Sequence, residues 1–584
     1  MNIARQLLVY VYPYRLWLIG AFFLILSTSL AINYLPIIIQ KITDECLMNF
    51  NANPEERLSL LGQLSLLYII IAGVGHLVRY FQGLLTAYIG QRIIYDLRLK
   101  VFKKVLTMHQ SYFDRTPVGT LMTRVTSDIE RLQNFVTDGV VGSIADLFML
   151  LGIMGYMVYI SPPLAGTLFL TLPFLYILLV YINTNLRNAN REIRDKQADQ
   201  NAFLQESLTG MSTIQLFNRE ESAKEDFDNK HIQLRAAYFK EVKWFSLSFP
   251  AVEGAQSLAS LLILGVGGVL LLNGSEFITL GIFVAFLAYV RDFFRPLSSL
   301  SEKASSFQVA LASVERIFSL LNREPEIVNI SNPIIPPRLQ GHIEFTNVWF
   351  AYDDDNWVIK DLSFTAKPGQ SLAIVGATGA GKSTIINLIG RFYDINRGSI
   401  KIDGINIKDL DQFDLRRRLG YVFQDPFLFS GSVKDNIGLH NPNLSNKEIR
   451  EAAISVNADE FRNQLKHNYH TQLNERGEGL SLGQKQLIVM ARTFAQNPEL
   501  LFVLDEATAS IDTSTEILIQ NGIEKLMKDR TSIIIAHRLS TIRHADNILV
   551  MQNGELVDSG THNELMSKNG YYANLCQIMS YENK

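Results

Sequence analysis

The chain has 584 residues, more than one hydrophobic core accommodates, so two or more domains are expected. Hydrophobic residues make up 48% and charged ones 19%, with the apolar excess in the first half; the net charge of −3 gives no general argument for nucleic acid as a partner. Cys46 and Cys576 stand far apart and are expected on opposite sides of a membrane, so they read as two structural or incidental thiols and no disulfide framework or metal cluster follows.

The N-terminal MNIARQLLVYVYPYR is short, amphipathic and aromatic. It lacks a small-residue cleavage site, so an interfacial helix is expected rather than a signal peptide. Leu16–Gln40 carries no charge and is long enough for a tilted membrane span. Leu58–Val78 forms a second such window. Leu147–Leu186 is also uncharged and is broken by Ser161-Pro162-Pro163, which reads as two spans joined by a tight turn. Gly254–Ser275 is a fifth window, and Phe277–Val290 begins a sixth. Six spans are therefore expected.

The connecting segments alternate in character. The short ones hold Lys41 and Arg57 against Asp44, Glu45, Glu55, Glu56 and Glu276, whereas 91–131 and 187–243 are long and rich in Lys and Arg. The positive-inside rule then places the N-terminus, both long segments and the C-terminal half in the cytosol. Helical periodicity persists in the long segments, so spans two to five should extend past the bilayer. Asp146 and Glu253 fall inside apolar windows near their cytosolic ends. Such carboxylates are expected to line an inward-facing cavity that favours cationic or amphipathic substrates, the plain alternative being an interhelical hydrogen bond or an interfacial position.

A helical stretch continues to about Arg323, and a proline-rich linker follows from Asn332-Pro333 to Pro336-Pro337. These features predict a transmembrane domain over 1–325, a linker over 326–340 and an α/β domain over 341–584. Beyond Gly341 the pattern becomes short strands, with hairpins predicted on Asp403-Gly404 and Asn553-Gly554. Residues 371–384, SLAIVGATGAGKST, read as a buried strand, a glycine-rich loop and a helix start, matching the P-loop pattern from Gly376 to Ser383. In that context Gly376, Thr378, Gly379, Ala380, Gly381, Lys382, Ser383 and Thr384 are the expected ATP-binding set. Backbone N–H groups and the helix dipole would hold the phosphates, Lys382 would reach the β- and γ-phosphates, and Ser383 would hold Mg²⁺. The bland alternative is a glycine-rich turn with a surface lysine.

Tyr352 follows a strand and is placed to stack on adenine. Gln424, after the apolar run Tyr421–Phe423, is a candidate ligand of water and Mg²⁺. LSLGQKQLIVMARTFAQNP puts Ser481, Gly483 and Gln484 at a second anion-seeking helix N-terminus. One nucleotide needs one such cradle, so the second is explained if it closes on a nucleotide held by another copy of the domain. The buried strand LLFVL runs into Asp505, a candidate for the Mg²⁺ shell, and Glu506, the candidate general base. SIIIA ends at His537, a candidate for the γ-phosphate. Ligands sit at the carboxyl ends of strands in open α/β sheets, so these residues should converge.

GATGAGKST, YVFQDP, LSLGQKQ, LFVLDEATASID and IAHRLST together resemble the successive motifs of ATP-binding cassette proteins. Six spans followed by one cassette resembles an exporter half-transporter, and the motifs are most similar to the bacterial multidrug-resistance-like branch. The resemblance implies an ATP hydrolase in the bacterial cytoplasmic membrane that exports amphipathic compounds as a domain-swapped dimer. It also implies coupling helices at 111–125 and near Gly210, and a role for Asp512 in linking two ATP sites. A lipid or lipid-linked precursor flippase and an ATP-gated channel or regulatory subunit are the rival readings. Two positions depart from the pattern: Leu482 stands where glycine is usual, and Asn474 where a glycine often precedes Glu475. The first favours a heterodimer with a second half-transporter over a homodimer.

Overall fold

The computed structural model describes residues 10, 12–273, 278–353, 356–423, 425–462, 465–505, 513–536 and 542–582. The chain divides into two compact units, Met1–Leu106 with Gly119–Arg323, and Thr107–Val118 with Glu324–Lys584.

The first unit is helical. Its long helices are α1 (Arg15–Lys41), α2 (Pro54–Leu106), α3 (Gly142–Ile160), α4 (Pro162–Thr209), α5 (Glu220–Leu272) and α6 (Leu280–Asn322). Five stretches, Tyr12–Leu47, Pro54–Leu106, Val118–Ile160, Pro162–Thr209 and Glu220–Leu272, are long and apolar enough to cross a membrane. The sixth expected span falls on α6, which stays uncharged from Leu280 to Val290 before Arg291; residues 274–277 lie outside the described residues. At about 1.5 Å per residue, the 53 residues of α5 extend about 80 Å, well beyond a hydrocarbon core of about 30 Å.

The charged ends of α4 and α5 hold each other through a polar seam, with Lys240 on Glu192 at 2.7 Å and Lys196 on Gln233 at 2.9 Å. Their apolar ends join α3 and α6 around buried Phe286, Tyr289, Phe293 and Phe294. The Tyr289 hydroxyl donates to the Asn33 carbonyl of α1 at 2.7 Å, satisfying a polar group inside this cluster.

Asp146 does not offer a bare charge to a cationic substrate. Its carboxylate accepts from Ser299 Oγ and Lys303 Nζ of α6, each at 2.7 Å, so an interhelical ion pair has already compensated it. Glu253 is exposed on α5. Both partners of the Asp146–Lys303 pair keep under a quarter of their side-chain exposure. Asp146→Asn should therefore cost roughly 1–2 kcal/mol, between an exposed and a buried pair, and lower Tm by a few degrees. An unchanged melting curve would count against this pairing.

The second unit is α/β. An antiparallel sheet has the order β2–β1–β4–β5, with β1 Ile343–Ala351, β2 Trp357–Ala366, β4 Arg397–Ile402 and β5 Ile405–Asn406. A six-stranded sheet has the order β12–β11–β3–β10–β9–β6. Its members are β3 Ser371–Gly376, β6 Leu419–Val422, β9 Leu500–Asp505, β10 Thr531–Ala536, β11 Asn547–Gln552 and β12 Glu555–Gly560. A small pair, β7 Gly431–Ser432 and β8 Gln472–Leu473, completes the strands. Side chains alternate across β3: Ala373 and Val375 enter one core, Leu372 and Ile374 the other. Burial on both faces explains why this strand reads as a continuous apolar run.

Both predicted hairpins form. Their turns place Asp403 and Gly404 at φ 50° and 79°, and Asn553 and Gly554 at 52° and 88°, as primed turns require. The segment expected to be a linker makes contacts with this unit. Ile334 bridges Leu410, Asn329 bonds Asp411, and Leu339 N–H donates to Glu499 at 2.6 Å. Cys46 and Cys576 are buried free thiols.

Candidate active site

The phosphate loop follows β3, which lies between β11 and β10. Backbone geometry fixes its glycines. A Cβ on Gly376 would meet the Met551 carbonyl oxygen at 2.3 Å, and Gly381, at φ 93°, would drive one to 2.6 Å from Ile359. Gly381 caps helix α7 (Lys382–Ile389). Lys382 is 7% exposed, and its ammonium donates to the Gly376 and Ala377 carbonyls at 2.6 and 3.1 Å, inside its own loop. Thr378, Gly379 and Ser383 are exposed on the loop, whereas Ala380 and Thr384 are buried. The N–H groups at the start of α7 and the lysine ammonium suit a polyphosphate.

Strand register brings the ends of several strands to one edge. In the parallel sheet Ile535 pairs with both Ile374 and Leu504, and Ala536 with Asp505. Asp505 therefore ends β9 at the same edge as the end of β3, with β10 between them. Val422 pairs with Val503, which brings the end of β6 to the same edge. Gln424, Glu506, Asp512 and His537 lie outside the described residues.

Tyr352 sits 3.1 Å, oxygen to oxygen, from Thr384 of α7, and its ring meets Phe350 and Tyr393 edge-on at 4.8 and 5.0 Å. Three residues missed by sequence reasoning hold this corner. Arg115 donates to the Tyr352 carbonyl at 2.8 Å and pairs with Asp353 at 2.9 Å. The Tyr393 hydroxyl donates to Asp114. Burial, and then this bond, push the Tyr393 phenol above its ordinary range. Asp114 and Arg115 belong to the short helix Gln110–Arg115; Pro117 separates it from Val118–Val125, so the expected coupling segment 111–125 is two helices rather than one. Only the first folds with the α/β unit. Arg115→Ala should raise KM for ATP about two- to fivefold, the scale of an exposed pair plus one carbonyl bond, with kcat little changed. An unaltered KM would remove Arg115 from the site.

The second cradle lies at the start of helix α8 (Leu482–Gln496). Ser481 and Gln484 form a capping box: Gln484 N–H donates to Ser481 Oγ at 3.2 Å, and Ser481 N–H to Gln484 Oε1 at 3.1 Å. Ser481 and Leu482 are exposed and Gly483 is buried. The same helix holds both flanks of position 424. Gln486 donates to the Phe423 carbonyl, and Arg492 to the Phe427 carbonyl, each at 3.1 Å. Burial pushes the Arg492 guanidinium down to about 10, so it stays charged at neutral pH.

Comparison with known proteins agrees with this geometry. Residues 17–297 match the ABC transporter transmembrane region family, and residues 359–509 match the ABC transporter family. The putative multidrug export ATP-binding/permease protein YgaD of Bacillus subtilis (strain 168) is 31% identical, over 99% of this chain and 100% of its own. The ATP-dependent lipid A-core flippase of Syntrophus aciditrophicus (strain SB) is 33% identical, over 100% of this chain and 96% of its own. A solved structure of a bacterial Atm1-family ABC exporter with ATP bound superposes with a TM-score of 0.78 at 27% identity, covering 97% of this chain and 98% of that one. Across its whole length, the chain thus belongs to the ATP-binding cassette exporters, as an ATP-hydrolysing half-transporter that dimerises, with a multi-pass membrane domain and a cytosolic cassette.

Proposed function

We propose that the protein exports amphipathic or hydrophobic compounds of the multidrug type across the bacterial cytoplasmic membrane by alternating access, as a multidrug-resistance-like half-transporter. The single observation that carries the ATP-driven part is the split arrangement of the cassette. The ends of β3, β9, β10 and β6 converge on one phosphate loop, while the α8 cradle is exposed. That division suits two cassettes closing on shared nucleotides, then separating after hydrolysis.

In this reading residues 1–325 form the membrane domain, 326–340 the connection and 341–584 the cassette. The loop Gly376–Thr384 holds the phosphates, with Lys382 moving from its own carbonyls to the β- and γ-phosphates. Tyr352 stacks on adenine. Ser383, Gln424 and Asp505 would hold Mg²⁺, whose charge neutralises the phosphate oxygens. Ser383 is exposed at the loop and Asp505 ends the adjoining sheet edge, which fits such an ion. Glu506 takes a proton from the attacking water, and His537 orients toward the γ-phosphate. Ser481, Gly483, Gln484 and Asp512 serve the partner's nucleotide.

A lipid or lipid-linked precursor flippase is the second reading, favoured by full-length similarity to the lipid A-core flippase. ATPase stimulation in nanodiscs separates the two. Amphipathic drugs should stimulate more than lipid additions on the first reading, and the order should reverse on the second. No stimulation by any amphiphile would overturn both.

A further inference from the structure

Helix α7 carries the phosphate loop at its N-terminus and is capped at its other end by Gly390. Arg391 comes one residue past that cap, at φ 49°, the left-handed position where glycine usually stops a helix. The same residue is 3% exposed, so its guanidinium is buried. A buried charge is unfavourable unless it is paired and hydrogen-bonded. Backbone strain and a buried cation at one position mark a side chain that is required there.

The partners of Arg391 show the requirement. Nε donates to Asp394 at 3.3 Å, Nη1 to the Leu410 carbonyl at 3.5 Å and Nη2 to the Val328 carbonyl at 3.1 Å. Val328 follows Arg323, the last residue of the membrane unit, by five positions. The same segment is held from a second side. Glu326 N–H donates to His109 Nδ1 at 3.1 Å, which leaves the imidazole proton on Nε2, 3.2 Å from Glu326 Oε1. Ser111 Oγ donates to the other Glu326 oxygen at 3.0 Å. Asp114, on the short helix after His109, accepts from the Tyr393 hydroxyl, two residues past Arg391.

A closed circuit results. Arg391 joins the turn 390–394 to the segment 326–328, Glu326 joins that segment to 109–111, and Tyr393 joins the turn to Asp114. All of these residues fold within the α/β unit. The chain passes between the two units after Leu106, Val118 and Arg323, and each passage lies within four residues of a member of the circuit. The circuit stands at the far end of the helix that begins at Lys382, about 12 Å along its eight residues.

We propose that Arg391 is a positioning residue for ATP hydrolysis: it fastens the end of the phosphate-loop helix to the connecting segment, so that ordering of the loop by nucleotide is passed to residues 326–328. A rigid helix with hydrogen bonds at both ends is a physical carrier for such coupling. By linkage, whatever displaces the connecting segment alters nucleotide affinity by the same factor. The inference rests on the reading that Gly376–Thr384 holds the phosphates.

The test is hydrogen–deuterium exchange of the full-length protein in nanodiscs, with and without Mg²⁺ and a non-hydrolysable ATP analogue, whose equilibrium binding is measured in parallel. In the wild type the analogue should slow exchange across 326–330 about tenfold, the scale of one charge-assisted hydrogen bond. Arg391→Ala should still bind the analogue and protect the phosphate loop, yet lose the response at 326–330. Arg391→Lys keeps the buried charge and its stem but lacks the fork that spans two carbonyls, and should lose most of the response. His109→Ala opens the circuit on its other side and leaves Arg391 in place, so 326–330 should still respond, from a faster baseline. No response in the wild type, an undiminished one in either Arg391 variant, or its loss in His109→Ala would overturn the proposal. A wild type that binds no analogue would instead defeat the reading of the phosphate loop, so the two failures are distinguishable.

Discussion

Glu506→Gln is expected to leave ATP binding intact, hold the cassettes closed on nucleotide, and lower steady-state hydrolysis by roughly 10²–10⁴-fold. The size follows from what is lost. Glutamine keeps the shape and one oxygen but cannot accept the proton of the attacking water, so the ground state survives and the transition state does not. β9 leads directly into this residue at the edge where β3 delivers the phosphate loop. Lys382→Ala should act differently. That ammonium is bonded to the Gly376 and Ala377 carbonyls at 2.6 and 3.1 Å, so its removal loosens the empty loop and weakens binding itself. Equilibrium ATP binding and single-turnover hydrolysis, measured on both variants, separate the two roles. Wild-type turnover in Glu506→Gln would overturn the assignment of the base.

What the sequence disclosed and what it hid differ by the range of the interaction involved. The phosphate loop was legible because its constraint shows as a local run of residue types: Gly376 and Gly381 are glycines at fixed spacing, although the groups that leave no room for a Cβ there, Met551 and Ile359, come from elsewhere in the chain. The hairpins at Asp403-Gly404 and Asn553-Gly554 were legible for the same reason, since a primed turn needs positive φ at two adjacent residues. The α/β strands were readable from alternation and apolar runs. By contrast, the ion pair of Arg115 with Asp353 joins residues 238 positions apart, and no local pattern marks either one. The same holds for Asp146, whose apolar surroundings suggested an inward-facing cavity. Its true partners, Ser299 and Lys303, arrive from a helix more than 150 positions later. A charge inside an apolar window reports that compensation is needed, not where it comes from. The segment near residue 334 read as a linker because its prolines suit an extended chain. Its bridge to Leu410 uses backbone groups, to which residue identity contributes little.

The isolated chain is expected to hydrolyse ATP at least about tenfold more slowly than the same chain purified with a related half-transporter as partner. The reason lies at the start of α8. Leu482 is the first residue of that helix and is 38% exposed, directly after the Ser481 cap. Side chains in a helix tilt toward its N-terminus, so a leucine here leans over the N–H groups that would face a phosphate. Glycine at this position leaves that approach open; a branched Cγ crowds it. In a homodimer both composite sites would carry the crowded cradle. In a heterodimer one site joins this chain's Lys382, Asp505 and Glu506 to the partner's cradle, while the crowded one faces the partner's nucleotide. One fast and one slow site follow, and a tenfold rate difference corresponds to only about 1.4 kcal/mol at the barrier. Leu482→Gly supplies the internal control: it should raise the activity of the isolated chain toward that of the pair without altering ATP affinity at this chain's own loop. Full, substrate-stimulated turnover by the unmodified isolated chain would overturn the heterodimer.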